Sequence, residues 1–183
     1  ITTAIAFADD MTKGIIDRFR SLPMARSAVL SGRTFADVVY TMGILVVLML
    51  SGLVVGWGVH SSVGDFLLAV LLLLFFTLAM AWVGVLVGLL VPSVEVAQQL
   101  GFLILFPLTF LSSAFVDTSS MPPWLQTIAD LNPFTVATNA ARALYNGYDP
   151  GGAVWQALAW ATGLIIVFSY LSMRRFAGTA TPA

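Results

Sequence analysis

Four stretches of this chain carry no charged residue over the length a helix needs to cross a lipid bilayer. They are residues 38–57, 66–91, 96–116 and 153–173. A hydrocarbon core takes about 20 apolar helical residues to span. Inside it every backbone group must be satisfied by the chain itself, which leaves helices or a closed barrel. A barrel strand alternates apolar and polar residues over a short length, and "LLAVLLLLFF" does not. The expected fold class is therefore an all-α integral membrane protein, a helical bundle with four transmembrane spans. The second run is long enough to tilt. Pro107 inside the third predicts a kink. Composition agrees, since charged residues make up 9% against about 25% in soluble domains.

The same composition removes several function classes. A net charge of −1 offers no basic field for nucleic acid. There is no cysteine, hence no thiolate ligand or Cys nucleophile. His60 is the one histidine, too few for a zinc or haem site, and it reads as an interfacial loop residue. No phosphate-binding glycine loop of the G-x-x-x-x-G-K-[ST] kind is present. No catalytic residue, metal or cofactor is expected on the chain. The apolar runs hold no carboxylate for a proton path, which weighs against a proton-coupled carrier. Glu95 reads as a charge in the first turn of a helix. Gly52 with Gly56, and Gly84 with Gly88, have the spacing at which helices pack closely.

Lys and Arg set the expected orientation. Lys13, Arg18, Arg20, Arg26 and Arg33 precede the first run, and Arg174 and Arg175 follow the fourth. Arg142 alone falls on the opposite side. Both ends of the chain are thus expected in the cytoplasm of a multi-pass plasma-membrane protein. Trp57, Trp124 and Trp155 fall near the outer ends of spans, where amphipathic rings favour the interface. The external parts would be "GVHSSVGD" and residues 117–152. In the latter, Pro122 and Pro123, just before Trp124, suit a helix start. Asn132-Pro133 breaks that helix, and a second stretch, 134–145, ends near Asn146-Gly147. Both are too short to span and would lie on the membrane or dip into it. Arg142 should seek a carbonyl or carboxylate there; Asp117, Asp130 and Asp149 are the acidic choices. At the other end, "ITTAIAFADD" reads as the tail of an earlier apolar segment, so a preceding span is expected.

The stretch "KGIIDRFRSLPMAR", residues 13–26, is unlike its surroundings. Ile15, Ile16, Phe19 and Leu22 share one helical face, while Lys13, Asp17, Arg18 and Arg20 cover much of the rest. Pro23 ends the helix at Leu22. Periodicity leaves two readings open: a basic helix resting on anionic headgroups, or a helix that docks into a partner.

Here the chain resembles a known family. "ADDMTKGIIDRFRSLPMARSAVLSGRTFADV" looks like the cytoplasmic loop of type-2 ABC exporter permeases of the daunorubicin-resistance and lipid-exporting type. The likeness rests on Asp9-Asp10, Lys13-Gly14, Asp17-Arg18-Phe19-Arg20, Ser21-Leu22-Pro23 and Gly32-Arg33. "LNPFTVATNAAR", with Pro133, Phe134 and Arg142, is a second match. The resemblance covers essentially the whole chain. It implies a six-span permease of which these are the last four spans, residues 1–8 ending the second. Residues 1–183 would form one transmembrane domain: a coupling segment within 1–37, spans and external helices within 38–173, and a cytoplasmic tail at 174–183.

The resemblance further implies that Asp10, Lys13, Gly14, Asp17, Arg18, Phe19, Arg20, Leu22 and Pro23 form a coupling helix seated in a separate ATP-binding subunit. That partner would carry ATP and Mg. A second permease subunit and a hydrophobic drug or lipid substrate are the other implied partners. Pro122, Pro123, Trp124, Asn132, Pro133 and Arg142 would shape short external re-entrant helices. Two rivals stay open: a membrane anchor or assembly protein whose opening helix binds lipid only, and a secondary carrier.

Overall fold

The computed structural model describes residues 2–13, 26–56, 58 and 60–178. Most of the opening amphipathic stretch lies outside these residues, including Gly14, Asp17, Arg18, Phe19, Arg20, Leu22 and Pro23. The described chain is helical, in the order α1 (Thr2–Thr12), α2 (Arg26–Val54), α3 (Val63–Leu90), α4 (Val94–Phe110), α5 (Pro123–Leu131), α6 (Pro133–Asn146) and α7 (Ala153–Gly178). A single 3-10 turn, Thr118–Ser120, precedes α5. The fold is a helical membrane bundle.

Three of these helices, α2, α3 and α7, are long and apolar enough to cross a membrane. The third apolar run behaves differently from its sequence expectation. Its helix, α4, passes through Pro107 and ends at Phe110 after 17 residues. That is about 25 Å of helix, short of a ~30 Å hydrocarbon core. Residues 111–116 leave the helix because side chains from elsewhere take over its final carbonyls, as described below. Helix α2 differs in the other direction. It starts at Arg26, well before the uncharged run, because Arg33 and Asp37 are carried within the helix.

The described residues fall into two compact units. One comprises Ile1–Val39, Leu78–Ile104 and Thr162–Ala183; the other comprises Tyr40–Thr77 and Leu105–Ala161. In the first unit, Phe7, Leu30, Trp82, Val85, Leu89 and Phe176 form the core. Helix α3 is apolar on all sides, the pattern of a buried helix, and it supplies three of these residues. Helix α1 lies against it at Gly84 and Gly88. A Cβ added at Gly88 would sit 2.6 Å from Phe7 Cβ and 2.8 Å from the Ala4 carbonyl oxygen; one at Gly84 would sit 2.9 Å from Thr3 Cβ. Two glycines four residues apart thus open a slot for α1, and Ala4, Ala8 and Ala97 pack beside it. Thr3 Oγ1 donates to Asp37 Oδ2 at 2.6 Å, and Arg33 stands 3.7 Å from Asp10. The other small pair, Gly52 and Gly56, differs at its second member. Gly56 lies past the end of α2 in a turn with φ +93, and an added Cβ there would meet nothing within 4 Å.

In the second unit, α6 packs its apolar face, Val136, Ala140 and Leu144, on Ala69 and Leu72 of α3 and on Val154 and Ala157 of α7. Ring contacts fix the direction. Phe134 meets Phe76 edge-on at 5.4 Å, and Tyr145 meets Phe66 at 5.7 Å. Helix α6 therefore runs antiparallel to the first half of α3.

Candidate functional site

The end of a helix leaves its last carbonyls without partners, and burial makes that costly. At the end of α4 the chain first tightens. Leu111 N–H donates to Pro107 O at 2.8 Å and Ser112 N–H to Thr109 O at 3.3 Å. Other groups are met by Asn132, the N-cap of α6, and by side chains of α6. Asn132 Nδ2 donates to Leu108 O at 2.6 Å and Leu111 O at 3.3 Å. The Ser113 N–H donates to Thr135 Oγ1 at 3.2 Å, and the Ser113 hydroxyl donates to Asn139 Oδ1 at 2.7 Å. Arg142 closes the series, with Nη2 donating to Ser113 O at 2.9 Å and Nη1 to Asn139 Oδ1 at 3.3 Å.

Asn132, Thr135, Asn139 and Arg142 are spaced three, four and three residues apart, so they share one face of the helix. That face borders the apolar face formed by Val136, Ala140 and Leu144. Ser112 and Thr135 are buried, at 0% and 2% exposure, and Asn132 at 5%, so their pairing matters to the fold. Asn132 does two jobs with one amide. While its Nδ2 closes α4, its Oδ1 accepts from Phe134 N–H at 2.9 Å and caps the start of α6, a position where Asn is strongly favoured.

Pro122 precedes α5 and Pro123 is its first helical residue, where the missing N–H costs nothing. Pro133 holds the same place in α6, and α6 ends at Gly147 with φ +72, a left-handed position that suits glycine. Trp124 and Trp155 are exposed, at 67% and 74%; Trp57 lies outside the described residues. Asp10 faces Arg33, and Lys13 pairs with Asp9 at 2.6 Å on the exposed end of α1. His60 donates its backbone N–H to Tyr145 O at 3.3 Å, a role in the loop backbone. Arg142 takes a carbonyl, Ser113 O, rather than a direct carboxylate partner.

Sequence reasoning missed Ser112, Ser113, Thr135 and Asn139. The 132/135/139/142 spacing was the available signal; the partners on α4 had none.

Beside the seam lies a groove of about 360 Å³, lined by Ser113, Phe115, Asp117, Asn139 and Arg142 among others. Asp117 Oδ1 accepts from Ser119 N–H at 3.0 Å. Hydrogen bonds from Ser119, and to a smaller extent the Arg142 charge, hold the Asp117 carboxyl below the usual carboxylate range. Phe115 stacks on Phe110 at 5.2 Å, which in turn meets Phe106 at 4.3 Å.

Comparison with known proteins places this architecture. A daunorubicin resistance ABC transporter permease protein of Streptomyces coeruleorubidus is 31% identical over 96% of this chain and 62% of its own length. The protein ycf38 of Porphyra purpurea, named for a transport permease role, is 27% identical over 76% of this chain and 48% of its own. The chain thus spans between about half and three-fifths of the length of these relatives. No solved structure matches. Residues 1–146 match the ABC-2 type transporter family, which takes in α1 to α6 and the whole polar seam, and the chain, a multi-pass membrane protein, belongs to that family.

Proposed function

We propose that this chain is the membrane permease part of an ATP-driven exporter that moves an amphiphilic drug or lipid outward across the plasma membrane. The observation that carries the reading is the 31% identity, along 96% of the chain, to a daunorubicin resistance permease. Hydrolysis then belongs to a separate ATP-binding subunit, which holds ATP and Mg, and a second permease subunit completes the path. The coupling helix falls on residues 13–23, just past α1, because a soluble motor moves spans only through a rigid contact. Seven of the eight basic residues fall on the side this assigns to the cytoplasm, which supports cytoplasmic ends and an external 117–152 segment. Helices α5 and α6 then form a cap beside the outer leaflet.

Two substitutions at the coupling helix test this. Lipid attraction is a charge sum of about 1 kcal/mol per basic residue, so Arg18→Lys with Arg20→Lys leaves it intact. A protein cleft reads the planar donors of arginine, which lysine lacks. Gly14→Leu adds bulk that a lipid surface accepts and a protein contact does not. The expected result is normal membrane insertion with loss of most ATP-binding subunit from the purified complex in both variants. Full retention in both would return the stretch to a membrane-surface helix.

A further inference from the structure

The groove beside the polar seam combines three features that nothing in the export reading requires. It carries one cation and one anion, Arg142 and Asp117. Among the described residues these two are not joined by a direct ion pair. The Ser113 and Asn139 contacts engage two of the guanidinium's five donors, so the fork has donors to offer a ligand. The volume, about 360 Å³, lies at the low end for a cavity that encloses a drug-sized molecule. It suits a headgroup whose chain runs elsewhere. A route for that chain starts at the groove's own wall. Phe115, Phe110 and Phe106 form a continuous row of rings, each exposed by about half or more, at 65%, 50% and 46%.

We propose that this groove holds the zwitterionic headgroup of a bilayer aminophospholipid, its phosphate on Arg142, its ammonium on Asp117 and an acyl chain along Phe115, Phe110 and Phe106. An arginine fork fits phosphate oxygens bidentately. Asp117 accepts from the Ser119 backbone N–H and hydroxyl, and an exposed carboxylate with about four lone-pair sites has others left for an ammonium. A purely anionic lipid would meet the Asp117 carboxylate at close quarters, so the pair selects for a headgroup carrying both signs. The inference rests on the membrane setting of the family and not on export, so its failure leaves the export reading standing.

The test places the full protein in phosphatidylcholine nanodiscs doped with phosphatidylethanolamine or phosphatidylglycerol bearing a photoactivatable acyl chain. Crosslinks are mapped by peptide. We expect labelling centred on residues 106–115, with phosphatidylethanolamine favoured roughly two- to fivefold, the scale of one exposed ion pair. Asp117→Asn keeps the capping oxygen for Ser119 N–H and leaves Ser113 untouched, so it isolates the charge; it should abolish the preference. Arg142→Gln should lower labelling by both lipids. Soluble phosphoethanolamine should not compete, since it lacks the chain. Equal labelling by the two lipids in the unaltered protein would overturn the proposal. So would an unchanged preference in Asp117→Asn, labelling centred elsewhere, or displacement by the soluble headgroup.

Discussion

Helix α1 meets α3 through atoms that are missing, whereas α6 meets the end of α4 through atoms that must be present. At the first joint Gly84 and Gly88 leave space for Thr3, Ala4 and Phe7. The contact is close packing, the force that remains between apolar helices when lipid removes the hydrophobic drive. At the second, Asn132, Thr135 and Arg142 supply or receive hydrogen bonds for backbone groups at and just past the end of α4, and Asn139 accepts from the Ser113 hydroxyl. The first joint fails when something is added. The second fails when something is taken away. One chain thus uses sterics where two regular helices lie side by side, and polar side chains where a helix stops inside the protein.

The largest effect should come from filling the glycine slot. At Gly88 the obstacle is partly the Ala4 carbonyl, which is backbone and cannot turn aside as a side-chain tip would. Gly88→Leu should cost about 3 kcal/mol and release α1 from α3. Protease sensitivity within residues 2–12 and a lowered unfolding midpoint in detergent would show it. Gly43→Leu is the matched control, since a Cβ added at this α2 position meets nothing within 4 Å. Equal losses at Gly88 and Gly43 would break the contrast.

Next in size is Asn132. Asn132→Ala removes the cap of α6 and uncovers two carbonyls of α4, a loss of about 2 kcal/mol. Asn132→Asp keeps the capping oxygen but has no donor, and it places a carboxylate against Leu108 O and Leu111 O. It should therefore recover none of the stability at the α4 end while α6 stays capped. Amide exchange read separately at residues 108–113 and 133–136 distinguishes the two halves. Recovery of both segments by Asp would show that the Nδ2 bonds contribute nothing.

Smallest is the pH response of Asp117. Its carboxyl is held below the usual value of about 3.9, first by hydrogen bonds from Ser119. A depressed folded value stabilises the folded turn at pH above the unfolded pKa, and that contribution is lost as pH falls through the folded pKa. The turn at residues 117–120 should loosen only in acid below the ordinary Asp range. Asp117→Asn should flatten that response, leaving the turn at neutral pH as loose as the unaltered protein's becomes in acid.

How far the sequence foretold these joints depends on where the partners lie. Residues 66–91 matched α3 within three residues because an uncharged run with no breaker has one reading. Pro122-Pro123, Asn132-Pro133 and Asn146-Gly147 marked α5 and α6 correctly, since caps and prolines act on their own neighbours. The end of α4 was placed six residues late. "TFLSSAF" is apolar enough to continue a helix, and what stops it is Asn132 and Thr135, some twenty residues onward. The Gly84/Gly88 spacing was visible, but so was Gly52/Gly56; only the position of α1 tells them apart. Arg142 was expected to find an acceptor, and the choice of Ser113 O could not be read without the fold.

The export reading is tested most directly by transport itself. The protein is reconstituted in vesicles with and without the proposed ATP-binding subunit, and release of a fluorescent amphiphile is followed. The account predicts ATP-dependent movement from the face bearing residues 13–26 to the face bearing residues 117–152. That movement should need the partner and collapse in Gly14→Leu. Flux driven by a proton gradient without ATP, or ATP-dependent flux unaffected by Gly14→Leu, would contradict it.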